Sequence, residues 1–388
     1  MTATVAEGAQ PYISCEGASD LTERAHWVAW SQVQGIGPVL QKRLFLTFGS
    51  LAAAWEASAD QLLAVDGIGL LLADQVVRVR SQLSPDQLLA QFEVRSQSFW
   101  TPADADYPPV LFEIPDPPPV LYYRGALRLR APSLTIAIVG TRHPSDYGRR
   151  WTERLATQLV HQGGLIVSGM ARGVDAIAHR CCLTQSAPTV AVLGTGVDIA
   201  YPNSSQPLHQ QIIETGLVLS EYPDGTPPDR THFPQRNRII AGLSQVTLVT
   251  EAPERSGALI TAHLANDYGR EVYALPGSLD NPRSQGCLNL IHQGCHPIVS
   301  EAQLLAALGT LPLPEAASAV VRPIEEPPLS PETAIILQVL SEDDLDLDHL
   351  VQKTGQDTSQ VLSNLMQLEL QGQVVQLPGM RYRRTTHP

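Results

Sequence analysis

Between residues 120 and 308 the chain alternates short apolar runs with amphipathic stretches, most of the runs ending at glycine, serine or an acid. The runs cover residues 136–139, 165–167, 190–193, 217–219, 246–249 and 271–275. Each is too short for a core helix, and a strand buried on both faces reads as a continuous apolar run. Strands that alternate with helices predict an α/β domain, here an extended Rossmann-like, mainly parallel sheet covered on both faces. That architecture also says where a ligand belongs, because loops and helix N-termini converge beyond the carboxyl ends of parallel strands.

The flanking segments follow other rules. Residues 1–20 are expected to be disordered. Helical periodicity runs through residues 21–100, broken at Gly35-Ile36-Gly37 and Gly67-Ile68-Gly69, and predicts a small helical domain of the SAM or helix-hairpin-helix kind. Residues 101–119 are dense in proline, whose ring opposes regular helix, so an extended connector is expected. Residues 309–330, rich in Pro, Ala and Glu, read as a linker. In residues 331–388, short helical patterns precede Val374-Val375-Gln376-Leu377-Pro378-Gly379-Met380-Arg381-Tyr382, a hairpin signature, and together they predict a winged-helix-like module.

The 388-residue chain carries a formal net charge of −13. Proteins that hold nucleic acid by bulk electrostatics usually present a basic face, so any nucleic-acid site must be local. Lys42 and Lys353 are the only lysines. The other cations are arginines, whose planar fork suits bidentate phosphate contact, although codon bias alone gives the same composition. No stretch has the length and apolarity of a membrane helix, and residues 1–20 lack the pattern of a signal peptide, so a cytoplasmic protein without membrane contact is expected. Cys15, Cys181, Cys182, Cys287 and Cys295 form no CxxC pair and are expected to be buried free thiols. Cys287, His292, Cys295 and His296 are metal-ligand types, but such spacing arises readily by chance, and no metal or other cofactor is expected.

The loops after the predicted strands are unusual. Gly140-Thr141-Arg142 follows the first, Ser168-Gly169-Met170-Ala171-Arg172-Gly173-Val174-Asp175 the second, and Gly194-Thr195-Gly196-Val197-Asp198 the third. Phe233-Pro234-Gln235-Arg236-Asn237-Arg238 precedes an apolar helix start, and Glu251-Ala252-Pro253-Glu254-Arg255-Ser256-Gly257 follows the run at 246–249. Glycine lets a backbone approach a phosphate, and helix N-termini offer free N–H groups. Arg142, Arg172, Arg230, Arg236 and Arg238 would add paired donors, and Phe233 a face for an unstacked base. The plainer reading is that the glycines tighten βα turns and the arginines pair with Asp175, Asp224, Asp229 or Glu251.

These motifs closely resemble the DNA-processing protein A family (DprA/Smf). The resemblance rests on Val139-Gly-Thr-Arg142, Ser168-Gly-Met-Ala-Arg-Gly-Val-Asp175 with His179, and Phe233-Pro-Gln-Arg-Asn-Arg-Ile-Ile-Ala-Gly-Leu-Ser244. It continues in Glu251-Ala252 with Ser256-Gly-Ala-Leu-Ile-Thr-Ala262, and in Leu275-Pro-Gly277. It implies a non-enzymatic protein that binds single-stranded DNA, helps load the RecA recombinase in natural transformation and recombination, and forms a homodimer through its Rossmann-like domain. By motif position, Arg142, Ser168, Gly169, Arg172, Gly173, Arg230, Phe233, Arg236 and Asn237 would contact DNA, and Gly140, Thr141, Arg238, Ser256 and Gly257 complete the candidate set. Cys181-Cys182 departs from the small residues that the family commonly has there.

Other classes fit less well. A phosphoribohydrolase-like nucleotide enzyme would carry a double-glycine loop that residues 251–261 lack, and a nicotinamide oxidoreductase would carry GxGxxG where Gly140 is followed by Thr141, Arg142 and His143. A metal-dependent nuclease would need Asp175, Glu221 and Glu251 to meet in space. His179 reads as a structural histidine. The two Gly-Ile-Gly turns could hold a duplex phosphate but are expected chiefly to fix helix crossings, with Lys42 and Arg43 keeping the first turn a candidate. The acidic stretch 341–348 suits the last module to contacts with protein, or to regulation alone, rather than to a DNA backbone, with Arg381, Arg383 and Arg384 as the one basic feature that argues otherwise.

Overall fold

In the computed structural model, which describes residues 20–94, 98–129, 134–309, 335–336, 339–340, 345–370, 374–377 and 381–384, the chain begins with six helices. These are α1 (Asp20–Ser31), α2 (Pro38–Phe48), α3 (Leu51–Glu56), α4 (Ala59–Leu63), α5 (Leu70–Arg80) and α6 (Pro85–Val94). Their apolar stripes bury Trp27, Trp30, Leu44, Trp55 and Leu62 in one core. The two Gly-Ile-Gly turns bury Ile36 and Ile68 and face each other's hairpins. A Cβ on Gly35 would lie 3.0 Å from Leu72 of α5, and one on Gly67 would lie 2.9 Å from Leu40 of α2. The nearby cations are committed within the protein: Lys42 Nζ donates to the carbonyls of Phe112 and Ile114, both at 2.7 Å, and Arg43 pairs with Asp66 at 2.7 Å. Of the residues expected to be disordered, 1–19 lie outside the described ones, and Asp20 opens α1.

The proline-dense segment departs from the extended connector expected of it. Pro109 takes an early position of α7 (Pro109–Phe112), where a missing amide costs no helical hydrogen bond. Tyr107, Leu111 and Ile114, spaced between the prolines, are buried against the main sheet. On either side, β1 (Phe99–Trp100) and β2 (Leu121–Gly125) form an antiparallel pair at the sheet edge.

All six apolar runs then form strands. In order come β3 (Thr135–Val139), α8 (Asp146–His161), β4 (Leu165–Ser168), α9 (Val174–Thr184), β5 (Thr189–Leu193), α10 (Gln206–Thr215) and β6 (Leu217–Ser220). The chain continues through α11 (His232–Leu243), β7 (Val246–Val249), α12 (Gly257–Asp267), β8 (Glu271–Ala274), α13 (Gln285–His292), β9 (His296–Pro297) and α14 (Glu301–Gly309). The nine-stranded sheet has the order β1-β2-β6-β5-β4-β3-β7-β8-β9. All neighbours from β6 to β9 are parallel, and β2 joins β6 antiparallel. Side chains alternate between its faces: Ile136 and Ile138 of β3 join the α8 and α9 side, Ala137 and Val139 the α11 and α12 side. Helices α1 and α6 extend the first layer, packing Ala25, Val28, Leu89 and Phe92 with Tyr122, Ala191 and Leu193.

This is the mainly parallel, doubly covered sheet that the sequence predicts. Its growth reverses at β3, which pairs β4 on one side and β7 on the other, so a switch point opens at their carboxyl ends.

The described C-terminal residues form a unit of their own. Helices Leu347–Thr354 and Thr358–Leu370 enclose Leu350, Val361, Leu365 and Leu368 together with Ile336 and Leu340. The expected hairpin pairs Val374–Leu377 with Arg381–Arg384, and Leu345–Asp346 adds a third strand. Within the acidic stretch, residues 341–344 lie outside the described ones, and Asp346 caps the following helix by accepting from the His349 amide at 2.9 Å. The linker expected at 309–330 also lies outside them beyond Gly309.

Candidate functional site

One carboxylate ties together the loops at the switch point. Glu251, buried two residues past the end of β7, accepts from the Ser145 amide at 2.7 Å, the Ser145 hydroxyl at 2.6 Å and Asn281 Nδ2 at 3.1 Å. Ser145 in turn caps α8 by accepting from the Gly148 amide at 3.2 Å. The Thr141 amide donates to the Glu251 carbonyl at 2.7 Å, tying the β3 loop to β7. Gly173, at the start of α9, has φ +84°, and a Cβ there would collide with the Thr141 carbonyl oxygen and lie 2.6 Å from the Arg142 carbonyl carbon. Only glycine fits that approach, which draws the β3 and β4 loops together and brings Arg142 beside Arg172.

A cavity of about 290 Å³ opens above these loops. Arg142, Arg149, Arg172, Arg180 and Arg283 line it, with His143 and Ile177. All five arginines are exposed, and none of their guanidinium groups has an ion-pair or hydrogen-bond partner among the described residues. The Arg142 guanidinium lies 5.9 Å from the Phe233 ring centroid, and Phe233 stacks on exposed Tyr201 at 5.4 Å. Tyr222 stacks on His232 at 3.9 Å next to this pair in sequence. Arg230 is exposed in the loop before α11.

Sequence reasoning finds Arg142 and Arg172 but misses Arg149, Arg180 and Arg283. A helical repeat counted from Ser145 and Gly173 would have placed Arg149 in the first turns of α8, and Arg180 one turn after Ile177 on α9. Arg283 follows β8, and only the sheet order brings its loop to the switch point.

Other candidates face inward. Arg236 is 5% exposed; its Nη1 donates to the carbonyls of Gly169, at 2.9 Å, and Val192. Burial lowers the Arg236 pKa to about 10, and the neighbouring Asp175 opposes that shift. Arg238 is 7% exposed and ion-paired with Glu221 and Asp116. Burial acts to lower its pKa, but the two acids hold it above the ordinary value. These two arginines therefore do not share the open face of Arg142. The Ser168 hydroxyl donates to the Ile138 carbonyl at 2.6 Å, and Thr141 is buried. Gly140 is pressed against Val174 and Gly169 against the Arg236 guanidinium. Asn237 Nδ2 donates to the Gly257 carbonyl at 3.3 Å, and Ser256 caps α12 by accepting from the Ala258 amide at 3.3 Å. Gly257 is open, with no neighbour within 4 Å of a Cβ position. The glycines expected to admit a phosphate thus mostly admit neighbouring loops.

Behind the rim, burial pushes the Asp175 pKa up to about 6, against the pull of Arg236. One helical turn on, burial pushes that of His179 down to about 3. His179 Nδ1 lies 2.8 Å from Thr189 Oγ1, in keeping with a core histidine. Asp175, Glu221 and Glu251 each serve a separate contact, and no group of His, Cys, Asp and Glu able to hold a metal forms among the described residues. Cys182 and Cys287 are buried free thiols, their pKa values pushed up to about 12 by burial, whereas Cys181 and Cys295, expected to be buried too, are free but only half-buried.

Comparison with known proteins identifies the lineage of this rim. The model of the family described as DNA recombination-mediator protein A matches residues 98–309, and that of the DprA winged helix domain matches residues 322–380. Protein Smf of Synechocystis sp. is 45% identical over 394 residues, covering 94% of this chain and 99% of that protein. DNA processing protein A from Streptococcus pneumoniae superposes with a TM-score of 0.62 at 33% identity, covering 74% of this chain and 97% of the other. The Helicobacter pylori protein of that name, solved for its single-stranded DNA binding mode, gives a TM-score of 0.50 at 32% identity, covering 54% and 95%. With its sheet and rim loops inside one matched span and most of its winged helix inside the other, the chain belongs to the DNA recombination-mediator protein A (DprA/Smf) family.

Proposed function

We propose that the protein binds single-stranded DNA along the carboxyl rim of its parallel sheet, with little sequence preference, and presents the strand to the RecA recombinase during DNA uptake and homologous recombination. The observation that carries this reading is the set of five exposed arginines, without ion-pair partners among the described residues, around one cavity in a chain of net charge −13. Arg142, Arg172 and Arg230 contact phosphates, and the Phe233 and Tyr201 pair receives an unstacked base. Phosphate contacts and stacking together give affinity without sequence choice. Arg236, Asn237, Arg238 and Ser168 act from behind, holding the loops that carry these groups. Family membership and the single-stranded DNA binding of the H. pylori relative support the same reading. A homodimer through the Rossmann-like domain, the recombinase as partner and a cytoplasmic location are part of the same proposal, supported by the resemblance of the rim motifs to the family.

The test measures single-stranded and duplex DNA binding by the wild type and by Arg142→Ala/Arg172→Ala across a salt series. The wild type is expected to prefer the single strand, and the double variant to lose at least about tenfold in affinity. Its log affinity against log salt should flatten by about 1.4, at ~0.7 for each phosphate of a single strand that an arginine no longer neutralises. Unchanged affinity in the variant rejects the rim as the DNA track. Assembly of RecA filaments on strands already bound by the protein should show a shortened lag, and an unchanged lag removes the loading step.

A further inference from the structure

We infer that the arginine cavity receives the phosphate monoester at a DNA strand end, so that the protein reads a phosphorylated terminus as well as the strand behind it. The inference rests on the single-strand reading above and assigns a ligand to the arginines of the rim that have no ion-pair or hydrogen-bond partner among the described residues. A phosphodiester within a strand carries one negative charge, and donors that follow a backbone are spread along it. Here five arginines line one space of about 290 Å³. They come from several elements: Arg142 and Arg172 from the β3 and β4 loops, Arg149 from α8, Arg180 from α9 and Arg283 from the loop after β8.

Such a cluster repels itself, and a doubly charged ligand relieves it better than a singly charged one. A phosphate monoester carries about −1.5 to −2 at neutral pH and offers three acceptor oxygens to paired guanidinium donors. The volume is at the low end of the ~300–1,000 Å³ typical of small-molecule sites, which suits a phosphate group with ordered water better than an enclosed nucleotide.

The position agrees. The Phe233 side chain lies against Gly194, at the end of β5, while the cavity draws its lining from β4, β3 and the loop after β8, further along the sheet. Arg142 belongs to both, lying 5.9 Å from the Phe233 ring and lining the cavity. A strand stacked at Phe233 and passing Arg142 therefore delivers its next phosphate, or its terminus, into the cavity.

The experiment uses the full chain and decanucleotides of one sequence that end in a 5′-phosphate, a 3′-phosphate or hydroxyls only. One phosphorylated form is expected to bind about tenfold or more tightly than the hydroxyl form. In Arg180→Ala/Arg283→Ala, whose altered side chains are exposed, that ratio should collapse towards one while the thermal midpoint stays put. Equal binding of all three oligonucleotides by the wild type, or a preference that survives the double variant, overturns the inference and leaves the single-strand reading standing. Failure to bind any of them takes both readings down. A nucleoside triphosphate that binds the cavity tightly while strand ends make no difference would assign it to a free nucleotide and likewise overturn the inference.

Discussion

Arg142 and Arg238 belong to the same domain and reach opposite ends of what an arginine can do in a protein. Arg142 stands exposed above the β3 loop, its guanidinium over the face of Phe233. Arg238 is 7% exposed and held by Glu221, Asp116 and the Asp116 carbonyl. The contrast extends to their neighbours: Arg149, Arg172, Arg180 and Arg283 go with Arg142, and Arg236 with Arg238. Inward arginines satisfy carbonyls and carboxylates that folding buries, so their charge is already answered. Outward ones are left for a ligand to answer, and the first set fixes the loops from which the second projects.

The largest effect expected from this division is on stability. Arg238→Ala would leave Glu221 and Asp116 part-buried without their cation, and breaking a buried ion pair from one side costs about 3–5 kcal/mol. Urea unfolding of the variant should therefore show a destabilisation of about 3 kcal/mol or more. A change under about 1 kcal/mol would mean that Arg238 is not a structural arginine, and the division would fail at its clearest member.

That division is only partly legible in the sequence. The six strands can be read because each is an apolar run buried on both faces, whereas β1 and β9 have two residues each and leave no periodic trace. The rule for parallel sheets places the rim, and Arg142 and Arg172 follow directly from it. Arg236 and Arg238 are harder, because the segment from Phe233 reads as a loop before a helix. The helix begins at His232, since Pro234 is tolerated in a first turn, and residues 236 to 238 are helical. Arg236 then falls on the stripe of Ile239, Ile240 and Leu243, the spacing of one buried face, so a helical count from His232 would have turned it inward. The partners of Arg238 are remote, Asp116 lying 122 residues away, and no local pattern announces them. That the cavity arginines have no ion-pair partner among the described residues is likewise a property of the assembled sheet.

A second test concerns charges just behind the rim. Asp175 has a pKa raised from 3.8 to about 6, and His179 one lowered from 6.5 to about 3, both by burial. Between about pH 4 and 6 the folded chain therefore keeps a proton on Asp175 that the unfolded chain has released, and lacks one on His179 that the unfolded chain still holds. The Asp175 contribution to stability falls as pH rises through that window, and the His179 contribution rises. Each slope is about 1.4 kcal/mol per pH unit, so together they nearly cancel. His179→Gln should tilt the stability profile downward towards pH 6 relative to the wild type, and Asp175→Asn should tilt it upward. Urea midpoints at pH 4, 5 and 6 measure both tilts, and parallel profiles for all three proteins would show that the interior charges are not held as the geometry requires.

The smallest effect sharpens the comparison from the other side. If the cavity arginines serve only a ligand, removing one should cost the fold almost nothing, because an exposed side chain that pairs with none of the described residues leaves no buried group behind. Arg172→Ala and Arg180→Ala should each move the melting temperature by no more than about 2 °C. The direction carries more information than the size. Each removal relieves repulsion among the remaining cations, so a small rise at low ionic strength that disappears near 0.5 M salt is expected from screening over ~4 Å. A clear, salt-independent fall would mean that these arginines hold the rim together, and the boundary between structural and ligand-facing arginines would have to be redrawn around them.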